Sequence, residues 1–262
     1  MEHINRNGFI LHQETLVKDT DSLHYHPSYE LFIVVKGSTT LLVNDKFVSA
    51  AEKDIVLLKP NVIHKNIGQK LHDRYSVHFT NAYLLSCFSD GLVKSLTAPF
   101  ENHKATVTPG VFDQILNLLT HIKNNPHYAC IHTAEILALL TDENNLQKTQ
   151  FNTPPKTTDH ILEYIRNNYA AISGLNDIAD GVHISKQYLC HLIKKETDTT
   201  VSEYLNSVRI NNACEMLRHG RHTITQTAVL CGYNSTAYFC RIFKKIMHMT
   251  PKEYQKIYGN VT

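Results

Sequence analysis

The sequence predicts an α+β chain of two domains, an antiparallel β-barrel with two trailing helices followed by an all-α unit. Three observations carry this. The 262 residues exceed the roughly 150 expected of one domain. Short β-rich runs with closely spaced turn signals fill the chain to about residue 80, and beyond a polar stretch around Pro154-Pro155 the apolar residues recur only at helical spacing.

The β-rich runs are LFIVV (31–35), TTLLV (39–43), DIVLL (54–58) and RYSVHF (74–79), divided by Lys36-Gly37, Asn44-Asp45 and Pro60-Asn61. Strands this short and close together predict an antiparallel sandwich or small barrel. The period then changes: Phe112, Ile115, Leu116 and Leu119, followed by Ile131, Ala134, Ile136, Leu137 and Leu140, predict two amphipathic helices over 111–140 with Pro126 between them. These helices offer more apolar surface than a small barrel needs, which predicts a homodimer paired across a two-fold axis; covering their own barrel is the alternative. The segment 141–159 is almost wholly polar, and its Pro-Pro pair cannot continue a helix. We therefore divide the chain into 1–145, a linker at 146–158, and 159–262.

In the second domain Ile161, Leu162 and Ile165 mark a first helix, and Leu175, Ile178 and Ala179 a second. Ser185 is the expected N-cap of a third. A longer helix covers 201–217, and then the plan repeats: a short helix from Ile224, a turn at Gly232-Tyr233, and another Ser-initiated helix. Residues 175–195 and 224–245 share Ala near the end of a short helix, a tight turn, Ser before the next helix, an apolar face and Lys-Lys. This is the helix-turn-helix plan, in which Ala permits close packing and the helix after the turn enters a major groove. Ser185 and Ser235 stand 50 residues apart around one long helix, so both recognition helices can reach one DNA face at grooves about 34 Å apart.

The matching residues run through Ile178-Ala179, Lys194-Lys195-Glu196-Thr197, Arg209, Gly232-Tyr233, Phe243-Lys244-Lys245 and Thr250-Pro251. On them, residues 158–258 resemble the DNA-binding domain of the AraC/XylS family of bacterial transcriptional regulators. The resemblance implies double-stranded DNA as partner, a small-molecule effector and RNA polymerase as a further partner. The chain departs from the family at His183-Ile184, where Gly-Phe is usual, so His183 is expected in a left-handed conformation. Thr227 replaces a customary Ile, and Asp198 and His248 stand where Gly is usual.

Helix geometry turns Lys186, Gln187, Cys190, His191 and Lys194 outward on the first recognition helix, with Leu189, Leu192 and Ile193 facing the core. On the second, Thr236, Ala237, Cys240 and Arg241 take the equivalent face, with Lys244 and Lys245 beyond. Gln187 and His191 suit base edges, Arg241 suits guanine, and the lysines suit phosphate. Ordinary solvated cations are the alternative at each position. Arg209, on the connecting helix, is expected to brace the two halves.

In the first domain, His24-Tyr25-His26, then Glu30 and Gly37, give H-x-H-x3-E-x6-G, with Pro60, His64 and Asn66 following. These resemble the two cupin motifs, which implies a cupin-like barrel in which two His, a Glu and a later His converge. His24 and His26, alternate residues of a strand, can face one side. PNVIH departs from the cupin P-x-G-x-x-H. The expected role of His24, His26, Glu30, His64 and His78 is an effector pocket. The rival is a divalent metal (Mn, Fe, Ni or Zn) on His24, His26, Glu30 and His64, and with it a metal-dependent cupin enzyme fused to a DNA-binding domain. We read the chain as a regulator and not an enzyme.

The formal net charge of +2 by itself argues for no nucleic-acid partner. It conceals 13 Lys+Arg against 15 Asp+Glu in residues 1–150, and 13 against 9 in 151–262. The 17 His likewise divide into 11 and 6. No apolar run nears the ~18 residues of a membrane span, and Met1–Gln13 lacks a signal-peptide pattern, so no membrane partner and a cytoplasmic location are expected. Six dispersed Cys without C-x-x-C fit reduced thiols.

Overall fold

The computed structural model describes residues 2–6, 8–17, 24–44, 46–67, 71–146, 157–197 and 199–259. Most of the expected linker, and Asp198, lie outside the described residues.

The first domain contains strands β1 (Glu2–Arg6), β2 (Phe9–Val17), β3 (Tyr29–Lys36), β4 (Ser38–Val43), β5 (Lys46–Ala51), β6 (Asp54–Leu58), β7 (His64–Asn66), β8 (His72–Phe79) and β9 (Lys104–Thr106). They form an antiparallel six-stranded sheet in the order β1-β2-β8-β3-β6-β9 and an antiparallel three-stranded sheet β5-β4-β7. All four β-rich runs read from the sequence lie within β3, β4, β6 and β8.

Both faces of the larger sheet are covered, which is why LFIVV reads as a continuous apolar run and does not alternate. Phe32 and Val34 pack with Leu41, Val43, Val56 and Leu58 between the two sheets. Leu31 and Ile33 point the other way, into a core shared with the helices. Those helices are α1 (Asn81–Leu85), α2 (Asp90–Thr97), α3 (Pro109–Asn124) and α4 (Ala129–Thr141). α3 and α4, with Pro126 between them, are the two trailing helices expected over 111–140, whereas α1 and α2, inserted between β8 and β9, were not expected. The short α1 and α2 hold only Leu84, Val93 and Leu96 as buried anchors, too few to give a readable period. Val111, Phe112, Ile115, Leu119 and Ile122 of α3 are buried in the same core, so its apolar stripe covers its own sheet.

The second domain is helical throughout its described residues: α5 (Thr157–Asn168), α6 (Leu175–Gly181), α7 (Lys186–Thr197), α8 (Val201–His219), α9 (Ile224–Leu230), α10 (Thr236–Met247) and α11 (Pro251–Tyr258). Its starts are written locally. Thr200 with Glu203, Thr223 with Gln226 and Thr250 with Glu253 each form a reciprocal capping box, satisfying backbone N–H groups that a helix start leaves unpaired. The long α8 serves two cores. Val201, Tyr204, Leu205 and Val208 pack with α5–α7, whereas Ile210, Ala213, Cys214 and Leu217 pack with α9–α11. Among the described residues no helix is long and apolar enough to cross a membrane.

The smaller sheet of the first domain and the segments beside it lie against both cores. Leu42, Phe47 and Ile67 join the core of the first motif, and Tyr25 and Ile63 join that of the second.

Candidate nucleic-acid interface and buried histidine pocket

The two motifs are built alike down to single bonds. Ser185 Oγ accepts from the Tyr188 backbone N–H at 3.2 Å, and Ser235 Oγ from Tyr238 N–H at 3.3 Å. In each turn an N–H reaches back to the Ala of the preceding helix, Ile184 to Ala179 and Tyr233 to Ala228, both at 3.0 Å. Counting from those alanines, the second turn holds one more residue before its serine, Asn234.

The residue that reverses the chain differs. His183 has φ 55° and Gly232 φ 80°. Left-handed backbone crowds any Cβ, and only glycine adopts it without cost. At Gly232 a Cβ would also lie 2.5 Å from the Ala170 carbonyl oxygen and 2.8 Å from Arg209 Nη2, so this turn has no room for a side chain. The expectation for His183 is met, and the turn keeps its hydrogen bond despite the imidazole. His248 caps α10 at φ 52°, again left-handed without glycine.

On α7, Lys186, Gln187, His191 and Lys194 are exposed and Cys190 is half-buried, with Leu189 and Ile193 fully buried beneath. On α10, Ala237, Arg241, Lys244 and Lys245 are exposed, Thr236 and Cys240 half-buried, and Phe239 and Phe243 buried. The residues read as outward from helical spacing thus share one polar face on each helix. Arg241 lies with its guanidinium carbon 5.1 Å from the centroid of Tyr238, a cation–π contact that orients the guanidinium at an exposed face. Sequence reasoning gave no contact to Tyr188 and grouped Tyr238 with the apolar residues of its helix, whereas the two are 48% and 41% exposed beside these residues. Their identical place after each serine was the available signal.

Arg209 joins the halves. It donates to the Tyr169 carbonyl at 3.0 and 2.9 Å and to the Ile172 carbonyl at 2.6 Å, while its guanidinium carbon lies 5.2 Å from the Tyr233 ring centroid in the second turn. Planar forked donors suit this double task, and lysine has none.

The second site lies in the first domain. Glu30 shares its strand parity with Phe32 and Val34, so its side chain enters the space between the sheets, and it pairs in register with His78 on β8. His24 is held to His64 by reciprocal backbone hydrogen bonds of 3.0 and 2.8 Å. These pairings bring together His24, His26, Glu30, His64 and His78. His26 Nε2 is 2.9 Å and His64 Nε2 3.4 Å from Glu30 Oε2, and His78 Nε2 is 3.8 Å from Glu30 Oε1. The His24 ring centroid is 4.3 Å from that of His64.

Glu30 is buried, which by itself raises a carboxyl pKa, but His78, His26 and His64 outweigh this and hold it well below its usual range. Burial pushes His78 down to about 4; Glu30 opposes that shift, while His26, His12 and His64 add to it. His12 on β2 belongs to this cluster too, its ring 6.0 Å from His78. It was missed because the β2 sequence, FILHQETLV, is too polar to read as a strand.

The ligand atoms of His26, Glu30 and His64 all lie within 4.8 Å of one another. His64 Nδ1 is 2.9 Å from the Val62 carbonyl and His26 Nδ1 3.0 Å from that of Ser28. A carbonyl only accepts, so Nδ1–H donates there, leaving each Nε2 turned toward the shared carboxylate. Hydrogen bonds of this kind from the far ring nitrogen orient metal-binding histidines. His24 stands beside this group of three and not within it, which narrows the four-ligand expectation.

Two family models match this chain: an AraC-like ligand binding domain over residues 10–140 and a helix-turn-helix domain over residues 178–257. Among relatives, the uncharacterized HTH-type transcriptional regulator YijO of Escherichia coli K12 is 27% identical over 161 residues, which are 60% of this chain and 57% of that protein, so the match spans little more than half of the relative. The HTH-type transcriptional activator RhaS of Shigella sonnei is 22% identical over 247 residues, 88% of this chain and 86% of RhaS. Among solved structures, unsaturated fatty acid bound ToxT from Vibrio cholerae aligns over 99% of both chains at 16% identity with a TM-score of 0.41.

Proposed function

We propose that this chain, which belongs to the AraC family of transcriptional regulators, binds a small effector in the pocket of His24, His26, Glu30, His64 and His78 and thereby controls how α7 and α10 meet double-stranded DNA. The observation that carries the reading is the pair of serine-capped helices with matched polar faces, 50 residues apart on one domain. In it, Gln187, His191 and Arg241 contact bases, with Lys186, Cys190, Thr236, Ala237 and Cys240 beside them. Lys194, Lys244 and Lys245 meet phosphate. In this reading the first domain is 1–145 and the second starts with α5 at Thr157, two residues before the expected 159, because Thr158 is already buried in the helix.

Because a net charge of +4 on residues 151–262 gives modest bulk attraction, affinity in this reading comes from two grooves read together and from a homodimer that doubles the contacts. Tyr128 and Ile131, about half exposed at the start of α4, are the apolar residues we assign to the dimer. Contact with RNA polymerase belongs to the same proposal.

The test is selection from a random double-stranded DNA pool by the full chain. Enrichment of one sequence with two conserved blocks about one helical turn apart is the expected result, and a pool that stays random overturns the reading.

One observation favours a second occupant. The paired imidazoles and carboxylate of His26, Glu30 and His64 would hold Mn, Fe, Ni or Zn, which such a donor set suits. A metal there would supply a Lewis acid and serve the effector or, in the enzyme reading, a reaction. Elemental analysis of the purified chain separates the two: about one metal per chain supports the metal-held pocket, and a small fraction of that supports the organic effector alone.

A further inference from the structure

The pocket and the contact with the second motif are made by the same two backbone segments. In His24-Tyr25-His26, alternate side chains leave opposite faces of an extended chain. His24 and His26 enter the pocket, and Tyr25, 7% exposed, enters the core of α8–α11 with Met247 and Tyr254. The segment paired with it repeats the pattern. His64 enters the pocket, while Ile63, 2% exposed, lies in the same core as Tyr25. The reciprocal hydrogen bonds between His24 and His64 lock the two segments together.

The tyrosine also completes a helix. Its hydroxyl donates to the Met247 carbonyl at 3.1 Å, and Met247 is the last residue of α10. The final carbonyls of a helix have no partner within it, so a residue of the first domain caps the second recognition helix. The first motif touches the first domain through Leu42, Phe47 and Ile67, none of them next to a pocket histidine in sequence; Leu42 pairs with Lys65, the neighbour of His64, and so meets the pocket only across the ladder.

We infer that Tyr25 and Ile63 are positioning residues through which the state of the histidine pocket sets the placement of α10 and leaves α7 unmoved. The polar faces of both helices stay exposed, so the device acts by orienting the second motif and not by covering it. This rests on the pocket reading above and specifies its path: a shift of residues 24–26 on occupancy moves the cap of α10 with it.

The test uses the full chain and two mild substitutions, Tyr25→Phe, which removes only the hydroxyl, and Glu30→Gln, which neutralises the pocket carboxylate. The measurements are hydrogen exchange of the last turn of α10 and affinity for DNA chosen by the selection above. Tyr25→Phe is expected to speed exchange at residues 244–247 roughly fivefold, the effect of one lost hydrogen bond, with α7 unchanged, and to weaken sequence preference only in the block read by α10. Glu30→Gln is expected to alter the same amides in the wild type and to have no effect once Tyr25 is Phe. No change at α10 in Tyr25→Phe, equal changes at α7 and α10, or a Glu30→Gln effect that is absent or identical in both backgrounds overturns the inference. The regulator reading would survive each of these, because it fails only if the wild-type chain selects no DNA.

Discussion

The two helix-turn-helix motifs share a hydrogen-bonding plan and differ in how tightly each is held. The second turns on Gly232, with Arg209 and the Ala170 carbonyl filling the place a Cβ would take, and its core is built from Phe239, Phe243, Tyr233 and Tyr254. The first turns on an exposed histidine in a left-handed conformation, over a core of aliphatic residues and Tyr204. One plan thus tolerates opposite local solutions, a packed turn without strain and a strained turn without packing. The difference implies that the first motif is the more easily deformed of the two.

The sharpest way to break this comparison is Gly232→Ala. The added methyl meets a carbonyl oxygen at 2.5 Å on backbone that disfavours any Cβ, and a loss of about 2–4 kcal/mol is expected in chemical denaturation. A loss below 1 kcal/mol would mean the second turn is no tighter than the first. Next, Arg241→Ala is expected to lower affinity for the selected DNA by about 1–3 kcal/mol, with relaxed preference at one base pair; unchanged preference in a titration at fixed salt would remove Arg241 from the reading face. His183→Gly should act with the opposite sign, raising stability by about 1 kcal/mol as the left-handed strain is relieved. A thermal melt showing destabilisation would place a favourable contact on the imidazole. The smallest effect belongs to Lys244→Ala, which should weaken binding to all sequences equally and reduce the salt slope of log K by about 0.9. A sequence-dependent change would make Lys244 a base contact.

What could be read in the sequence followed from how local each signal is. The second domain was legible almost helix by helix, because caps such as Ser185 and Ser235 and the Ala-turn-Ser spacing are written within a few residues. Strands β3, β4, β6 and β8 were legible from apolar runs that both covered faces require. Strands β1 and β2 were not, since EHINR and FILHQETLV carry too many polar residues, and β7 has three residues only. The pocket was legible as a set because His24, His26 and Glu30 sit on neighbouring positions of one stretch. Its geometry was not: the pairing of Glu30 with His78, 48 residues apart in sequence, is a fact of register across two strands, and the role of His12 needs β2 beside β8. Nor does any local pattern mark Tyr25 as the cap of a helix more than 200 residues away.

The interleaving of residues 24, 25 and 26 also bears on how such a protein can be rebuilt. A sensor grafted onto a foreign DNA-binding domain would keep its pocket histidines but lose the core that receives the tyrosine between them. The natural cut for a working chimaera therefore lies not at the polar stretch near Pro154-Pro155, but around the surface of α8–α11, which would have to travel with the sensor.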